Sequence, residues 1–395
     1  MSIFCAGQRW PERLFARFFL RTLFALLSLS WLGQTFAADE NAPHRRPVKV
    51  IAPERIKIKT ALGEAQIPAF TSGDLSRVQP GIKRAVIVIH GRLRDADKYY
   101  DLAIRAANAG HALADTLVIA PEFLSTADAA RHNLDGGLAR WNSEGWIGGE
   151  NARGPFALSS FEVIDAIIAI LADRRSFPNL ERIVIAAHSS GAQLVQRYAV
   201  VGRADQVLLK AGLQPYADGL EATAAAGNAM RVRYVVANPS SYLYFDATRP
   251  RPAERCTEVD HWRYGVHHPV AYVHGDMQAS EQRYLTRRVI YLLGGADNDP
   301  NHPALDKSCM AEAQGSNRLE RGNAYFSHVQ KRAKMHGVGL RHTRVEVPGV
   351  GHDADRMFNS VCGKAALFEA PGCEMKLAES MTAPTTLGVA STGQK

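Results

Sequence analysis

The chain has 395 residues, of which 46% are hydrophobic and 22% charged, and its formal net charge is +8. This composition is that of a globular protein with a sizeable core, which excludes a wholly disordered chain. Lysine and arginine are scattered, without basic runs or interleaved aromatic residues, so we expect no nucleic-acid partner. The length allows one large α/β domain or two ordinary ones.

The first 37 residues resemble a secretory signal peptide. Four arginines form a basic region, the apolar run 23–32 follows, and the small residues Ala37 and Ala38 come next. That run is shorter than the roughly 20 residues of a membrane span, so we expect cleavage near Ala37. An uncleaved anchor over 15–32 is the alternative. We therefore predict a periplasmic or secreted protein without stable membrane insertion after cleavage.

The cysteines predict disulfides. Cys5 lies in the signal peptide, and the remaining chain keeps Cys256, Cys309, Cys362 and Cys373. An even number of cysteines in an exported protein indicates two disulfides. Of the three pairings that four cysteines allow, we favour Cys362 with Cys373, because the loop between them is short and contains Pro-Gly. Cys256 with Cys309 then follows by elimination. No cysteine has the spacing of a metal site.

Changes in composition and in hydrophobic periodicity divide the chain into four parts, the first of which is the predicted signal peptide. Residues 38–80 are a polar, proline-rich linker followed by two alternating segments, 55–60 and 64–70, which predict a hairpin with one buried face. Residues 81–376 hold the main domain. Residues 377–395 are rich in Thr, Ser, Ala and Gly and are expected to form a flexible tail.

Within the main domain, short apolar segments alternate with helical patterns. The predicted strands are 85–89, 116–120, 183–186, 231–237, 289–293 and 343–347, and helices are predicted to begin near 96, 159, 193, 318 and 353. This alternation predicts an α/β fold with a doubly wound, mostly parallel sheet. Residues 124–156 show no regular period and are predicted to form a long loop. Residues 238–287 are predicted to be an irregular insertion before the strand 289–293.

The most informative segment is the one that surrounds Ser189. An apolar, β-branched strand ends in Ala-His-Ser-Ser-Gly, and a helical pattern follows. Small residues two positions before and after the serine, Ala187 and Gly191, suit a sharp turn in which backbones approach closely. The pattern is that of a nucleophile elbow, with alanine in place of its first glycine. An ordinary strand-to-helix turn with a capping serine is the alternative.

Ser189, Asp297 and His352 each follow the end of a predicted strand. Ligands of doubly wound sheets bind outside the carboxyl ends of the strands, so we expect these three side chains to lie together. Their order, Ser-Asp-His, and their settings after a strand (the elbow, Gly-x-x-Asp and Gly-His) resemble the α/β-hydrolases. The resemblance covers about residues 80–363. Within that superfamily, the segments 238–242 and 314–318 resemble those of secreted or periplasmic serine hydrolases of undefined substrate.

The resemblance implies a serine hydrolase that cleaves carboxylic esters through an acyl-enzyme, without a cofactor. Ser189 would be the nucleophile, His352 the general base, and Asp297 the group that orients the imidazole. Asp299 is the rival acid, but it lies two residues deeper in the loop. The backbone N–H groups of Ser190 and Arg92 would form the oxyanion hole.

Other residues carry weaker predictions. Gly91, Trp146 and Tyr242 are candidate substrate contacts, with core packing as the alternative for the aromatic residues. An oxygen-rich loop near Asp299 and histidines such as His267 fit no established metal-site pattern, so we predict no metal.

The sequence does not identify the substrate. We expect a small-molecule or polymeric ester, and the alternative is that the protein is an amide or peptide hydrolase of the same fold. A non-catalytic binding protein on a hydrolase scaffold, or a Ca²⁺-dependent surface protein, would belong to a different class.

Overall fold

The structure is a computed structural model that describes residues 42–216, 228–253 and 256–375. The predicted signal peptide, 1–37, and the predicted tail, 377–395, lie outside the described residues. A short 3₁₀ turn at Pro43–Arg45 belongs to an N-terminal unit. The chain from Pro47 onward forms a second unit, which contains all the remaining described helices and strands.

The described strands form one nine-stranded sheet. They are β1 Glu54–Thr60, β2 Gly63–Thr71, β3 Arg84–Ile89, β4 Thr116–Pro121, β5 Arg182–His188, β6 Gln214–Tyr216, β7 Ala229–Ala237, β8 Arg288–Gly294 and β9 His342–Val347. Their order is β1-β2-β4-β3-β5-β7-β8-β9, with β6 paired to β7 beside this path. The pairs β1–β2 and β2–β4 are antiparallel and all others parallel.

Helices cover both faces of this sheet. They are α1 Ala96–Ala109, α2 Thr126–Arg131, α3 Ser160–Leu171, α4 Ser190–Val201, α5 Ala204–Lys210, α6 Met277–Thr286, α7 Cys309–Glu312, α8 Arg318–His336, α9 Ala354–Phe358 and α10 Val361–Phe368. Alternate residues of the central strands pack into two separate apolar clusters, one on each face of the sheet. Ile87 and Ile185 belong to the first cluster, and Val86 and Val184 belong to the second. A strand buried on both faces has a continuous apolar sequence, as the strands 85–89 and 183–186 do.

The strand order reverses between β3 and β5. β4 lies on one side of β3, while β5, which follows later in the chain, lies on the other. Such a switch point opens a crevice at the carboxyl ends of the two strands, where ligands of this fold class bind. The residues directly after β3 and β5 are His90 and Ser189.

Several elements differ from the sequence prediction. The stretch 124–156 contains α2, held by a capping box between Ser125 and Asp128, and a 3₁₀ turn at Gly145–Gly148. The insertion 238–287 ends in a helix, α6, whose first turn is capped by the side chain of Asp276. These elements are short or bury polar as well as apolar side chains, so they lack the apolar period that reveals a helix.

Two disulfides, one closing a long stretch of chain and one a short loop, lie in this unit. Cys256 in the insertion pairs with Cys309, the first residue of α7, and Cys362 in α10 pairs with Cys373. Within residues 42–216, 228–253 and 256–375, no helix combines the length and the apolar character needed to cross a bilayer.

Candidate active site

Ser189 lies at the tip of a sharp turn between β5 and α4. Its φ of 61° and ψ of −125° are unusual for a residue with a side chain, and such strain costs about 1–3 kcal/mol. The turn is held because the N–H of Ser189 donates to the carbonyl oxygen of Ala237 at 3.0 Å, at the end of β7. A Cβ on Gly191 would overlap the carbonyl oxygen of His90 and lie 2.8 Å from that of Ile89. The small residue predicted at this position is therefore required by the backbone of β3.

His352 lies between Ser189 and Asp297. Its Nε2 is 2.9 Å from the Ser189 hydroxyl, and its Nδ1 is 2.8 Å from a carboxylate oxygen of Asp297. A carboxylate only accepts, so Nδ1 donates to Asp297 and Nε2 is left to accept the serine proton. Asp299, the rival acid, instead accepts the N–H of Asn301 on the exposed part of the loop.

Burial and charge shift the pKa of both partners. Burial lowers the pKa of His352, the hydrogen bond to Asp297 raises it, and the charge of Arg318 lowers it again; the net direction is down. Burial alone would raise the pKa of Asp297, but the hydrogen bond from His352 and the nearby Arg318 outweigh it. The acid is therefore ionised and the base neutral near pH 7, which are the forms that proton transfer from a serine requires.

Arg318, a residue that sequence reasoning did not assign, contacts the acid directly. Its Nη1 lies 3.2 Å from Asp297 Oδ1, the oxygen that does not face His352, and its Nε donates to Ser240 Oγ at 3.0 Å. Its side chain is fully buried. The sequence placed Arg318 at the start of the predicted helix near 318, which gives no hint of a contact with Asp297.

Asn238, also unassigned from the sequence, connects three strand ends. Its Oδ1 accepts the N–H of Gly294 at 2.7 Å, and its Nδ2 donates to the carbonyl oxygen of Gly351 at 3.2 Å. It follows β7, Gly294 ends β8, and Gly351 precedes His352. One buried carboxamide therefore joins the loop of the acid to the loop of the imidazole.

The loop after β3 is fixed by a buried histidine. Nε2 of His90 accepts the N–H of Phe123 at 2.9 Å, which leaves Nδ1 to donate to the carbonyl oxygen of Gly91 at 2.9 Å. Burial lowers the pKa of His90 to about 4, so this arrangement is kept at neutral pH. The guanidinium of Arg92 bonds Glu144, which turns its long side chain toward the loop 142–150.

The other predicted oxyanion-hole donor, the N–H of Ser190, belongs to the turn between β5 and α4. Ser190 is the first residue of α4, and the N–H groups of a helix's first turn have no acceptor inside the helix. The structure thus has the loop of Gly91 and Arg92 after β3 and the N–H of Ser190 after β5, at the carboxyl ends of two neighbouring strands.

Two candidate substrate contacts are not accessible. Trp146 is fully buried between His90 and Phe123, at ring-centroid distances of 4.6 and 5.5 Å. Tyr242 is fully buried and stacked on Tyr325 at 4.5 Å. Both belong to the hydrophobic core, so their proposed contact with substrate does not fit the structure. Gly91 has little free space, since a Cβ there would lie 2.7 Å from the Tyr99 hydroxyl.

Within the described residues, no group of three or more histidine, cysteine or carboxylate side chains is arranged to hold a metal ion. His267 instead pairs with Asp260 at 2.9 Å on the insertion.

Comparison with known proteins gives structural matches only. No protein-family model and no curated protein sequence matches the chain. Among solved structures, poly(aspartic acid) hydrolase-1 from Sphingomonas sp. KT-1 is 20% identical with a TM-score of 0.54, over 82% of this chain and 100% of that one. The poly(3-hydroxybutyrate) depolymerase LpqC from Bordetella parapertussis is 19% identical with a TM-score of 0.53, over 82% of this chain and 92% of that one. Together with the strand order and the strand–turn–helix around Ser189, these matches establish that the chain has the α/β-hydrolase fold.

Proposed function

We propose that the protein is a serine hydrolase that cleaves carboxylic esters through an acyl-enzyme. The observation that supports this most is the continuous chain of hydrogen bonds from the Ser189 hydroxyl through His352 to Asp297, at 2.9 and 2.8 Å. A serine hydroxyl is a weak nucleophile at neutral pH, and a base held in one tautomer is what activates it.

In the proposed reaction, Ser189 Oγ attacks the ester carbonyl carbon as its proton passes to His352 Nε2. Asp297 stabilises the resulting imidazolium. The negative oxygen of the tetrahedral intermediate would be met by the N–H groups of Ser190 and Arg92. The C–O bond to the alcohol then breaks, and His352 returns the proton to the leaving oxygen.

Water completes the cycle. It attacks the acyl carbon while His352 accepts one of its protons, and the second tetrahedral intermediate releases the acid and restores the Ser189 hydroxyl. The reaction needs no redox partner and no metal. Every proton that moves passes through His352, whose lowered pKa keeps it in the accepting form.

The substrate is a small or polymeric ester. An amide hydrolase is the second candidate, because a structural neighbour with the same fold is described as a hydrolase of poly(aspartic acid). We also propose an exported location, since two disulfides are typical of proteins in oxidising compartments.

The test is a panel of short acyl esters and peptide amides assayed in parallel with the wild type and Ser189→Ala. We expect ester turnover to fall by about six orders of magnitude in the variant. Ser327→Ala, which removes an exposed hydroxyl on α8, is the matched control and should leave turnover unchanged. Faster cleavage of amides than of esters would favour the second candidate.

A further inference from the structure

The carboxylate of Asp297 is shared between two cationic or potentially cationic partners. Oδ2 accepts from His352 at 2.8 Å, and Oδ1 accepts from Arg318 Nη1 at 3.2 Å. An orienting acid needs only the first of these contacts. A fully buried guanidinium on its other oxygen is costly to desolvate, and that cost suggests a role beyond packing.

Arg318 is itself fixed on three sides. Its Nε donates to Ser240 Oγ at 3.0 Å, and its Nη2 lies 3.4 Å from His302 Nδ1. It is the first residue of α8, and the N–H of the next residue, Leu319, donates to the carbonyl oxygen of Asp297 at 3.2 Å. Backbone and side chain of one helix terminus therefore hold both the main chain and the carboxylate of the acid.

The other charges near the base are few. The titratable and charged groups that face His352 or Arg318 are His188, Asp297, Asp299, His302, Asp306 and Arg321. The ring of His188 lies 4.5 Å from that of His352, and the ring of His302 lies 5.1 Å from it. Burial lowers the pKa of both histidines below the ordinary value, so both are neutral near pH 7, and Asp297 and Arg318 remain the charges in direct contact with the site.

We infer that Arg318 is a positioning residue that orients the Asp297 carboxylate and shares its negative charge, so that His352 stays in its basic form to a lower pH. The inference rests on the proposed function, in which His352 is the general base. Removal of the guanidinium charge leaves the full carboxylate charge to the imidazole. The imidazolium is then favoured, and His352 becomes protonated at a higher pH.

The readout is the pH dependence of Ser189 labelling by a fluorophosphonate, which needs no knowledge of the natural substrate. Labelling requires neutral His352, so its rate falls on the acid side as His352 is protonated. The variants are Arg318→Met and Arg318→Gln, which remove the charge, and Arg318→Lys, which keeps it. Arg287→Met is the matched control, because Arg287 is also buried and paired with a carboxylate, that of Asp205 at 2.6 Å. It lies directly before the first residue of β8, at the end of that strand away from Asp297.

We expect the acid limb to move to higher pH in Arg318→Met and Arg318→Gln, and to stay in place in Arg318→Lys and Arg287→Met. The labelling rate at the plateau should fall in all three Arg318 variants, by up to about 100-fold, because the acid is less well oriented. An unshifted limb in a folded, neutral Arg318 variant, or an equal shift in Arg318→Lys, would overturn the inference.

Two outcomes separate this inference from the proposed function. If wild-type Ser189 is not labelled at any pH, the proposed function fails first. If the neutral variants do not fold, NMR titration of His352 in the wild type decides, since a pKa at or above the ordinary value of about 6.5 contradicts the inference.

Discussion

Asn238 donates from Nδ2 to the carbonyl oxygen of Gly351 at 3.2 Å and so holds the residue directly before His352. We predict that Asn238→Asp lowers both the melting temperature and kcat, because a carboxylate cannot donate this bond. A lost buried hydrogen bond costs about 1–3 kcal/mol of unfolding free energy. Asn179→Asp is the matched control, since Asn179 makes a similar bond to Pro80 on the exposed surface. Equal melting temperatures and kcat values for the two variants would contradict this role.

Asp297 and Asp299 lie two residues apart but have different partners. We predict that Asp297→Asn lowers kcat by about 10⁴-fold, because the amide favours the wrong imidazole tautomer. Asp299→Asn should change kcat little, since Asp299 caps an exposed turn through the N–H of Asn301. Steady-state kinetics on one ester substrate compares the two. A larger loss in Asp299→Asn would identify it as the acid.

Glu122 is buried, and its raised pKa should make the folded state less stable as the pH rises from about 4.5 to about 8. Burial raises its pKa to about 8, above the value of 4.5 for an unperturbed carboxyl group, although its carboxylate accepts the N–H of Ala52. Between these values the folded state binds more protons than the unfolded state, so stability is present below about pH 4.5 and declines as pH rises toward about 8.

We therefore predict that Glu122→Gln removes this decline, which amounts to about 1.4 kcal/mol for each unit by which the pKa of Glu122 differs between the folded and unfolded states. Urea unfolding at several pH values between 4 and 9 measures it. The exposed Glu64→Gln serves as the control. Parallel stability curves for Glu122→Gln and the wild type would show that Glu122 titrates normally.

The two disulfides should differ in their effect on stability. The chain-entropy relation gives about 4 kcal/mol for the 53-residue separation of Cys256–Cys309 and about 3 kcal/mol for the 11-residue separation of Cys362–Cys373. Replacing each pair by serine should therefore lower the unfolding free energy more for the first pair. Chemical denaturation of the two double variants measures both, and the reverse order would contradict the entropic account.

Eight of the nine described strands, all but β6, and the elbow could be predicted because their signals are local. The strand 183–186 is apolar throughout since both faces of the sheet are covered, and Gly191 is small because the backbone of β3 passes beside it. The alternation of strands and helices predicted a doubly wound, mostly parallel sheet, and with it the placement of Ser189, Asp297 and His352 at one edge, but not the order of the strands.

The residues that hold the site could not be predicted, because their signals are tertiary. Arg318 lies 21 positions from Asp297 and Asn238 lies 113 from Gly351, and no local pattern around either residue indicates these contacts. For Trp146 and Tyr242 the sequence left substrate contact and core packing both open, because a large aromatic residue in an irregular stretch can face the core or a cleft. Only the packing around His90 and Tyr325 distinguishes these cases.

The central claim is that His352 activates Ser189 as a nucleophile. Its most direct measurement is peptide mass spectrometry after treatment with a fluorophosphonate, on folded wild type and His352→Gln. The account predicts one adduct, on Ser189, in the wild type and labelling slowed by orders of magnitude in the variant. An adduct on another residue, or equal labelling of Ser189 in both proteins, would contradict it.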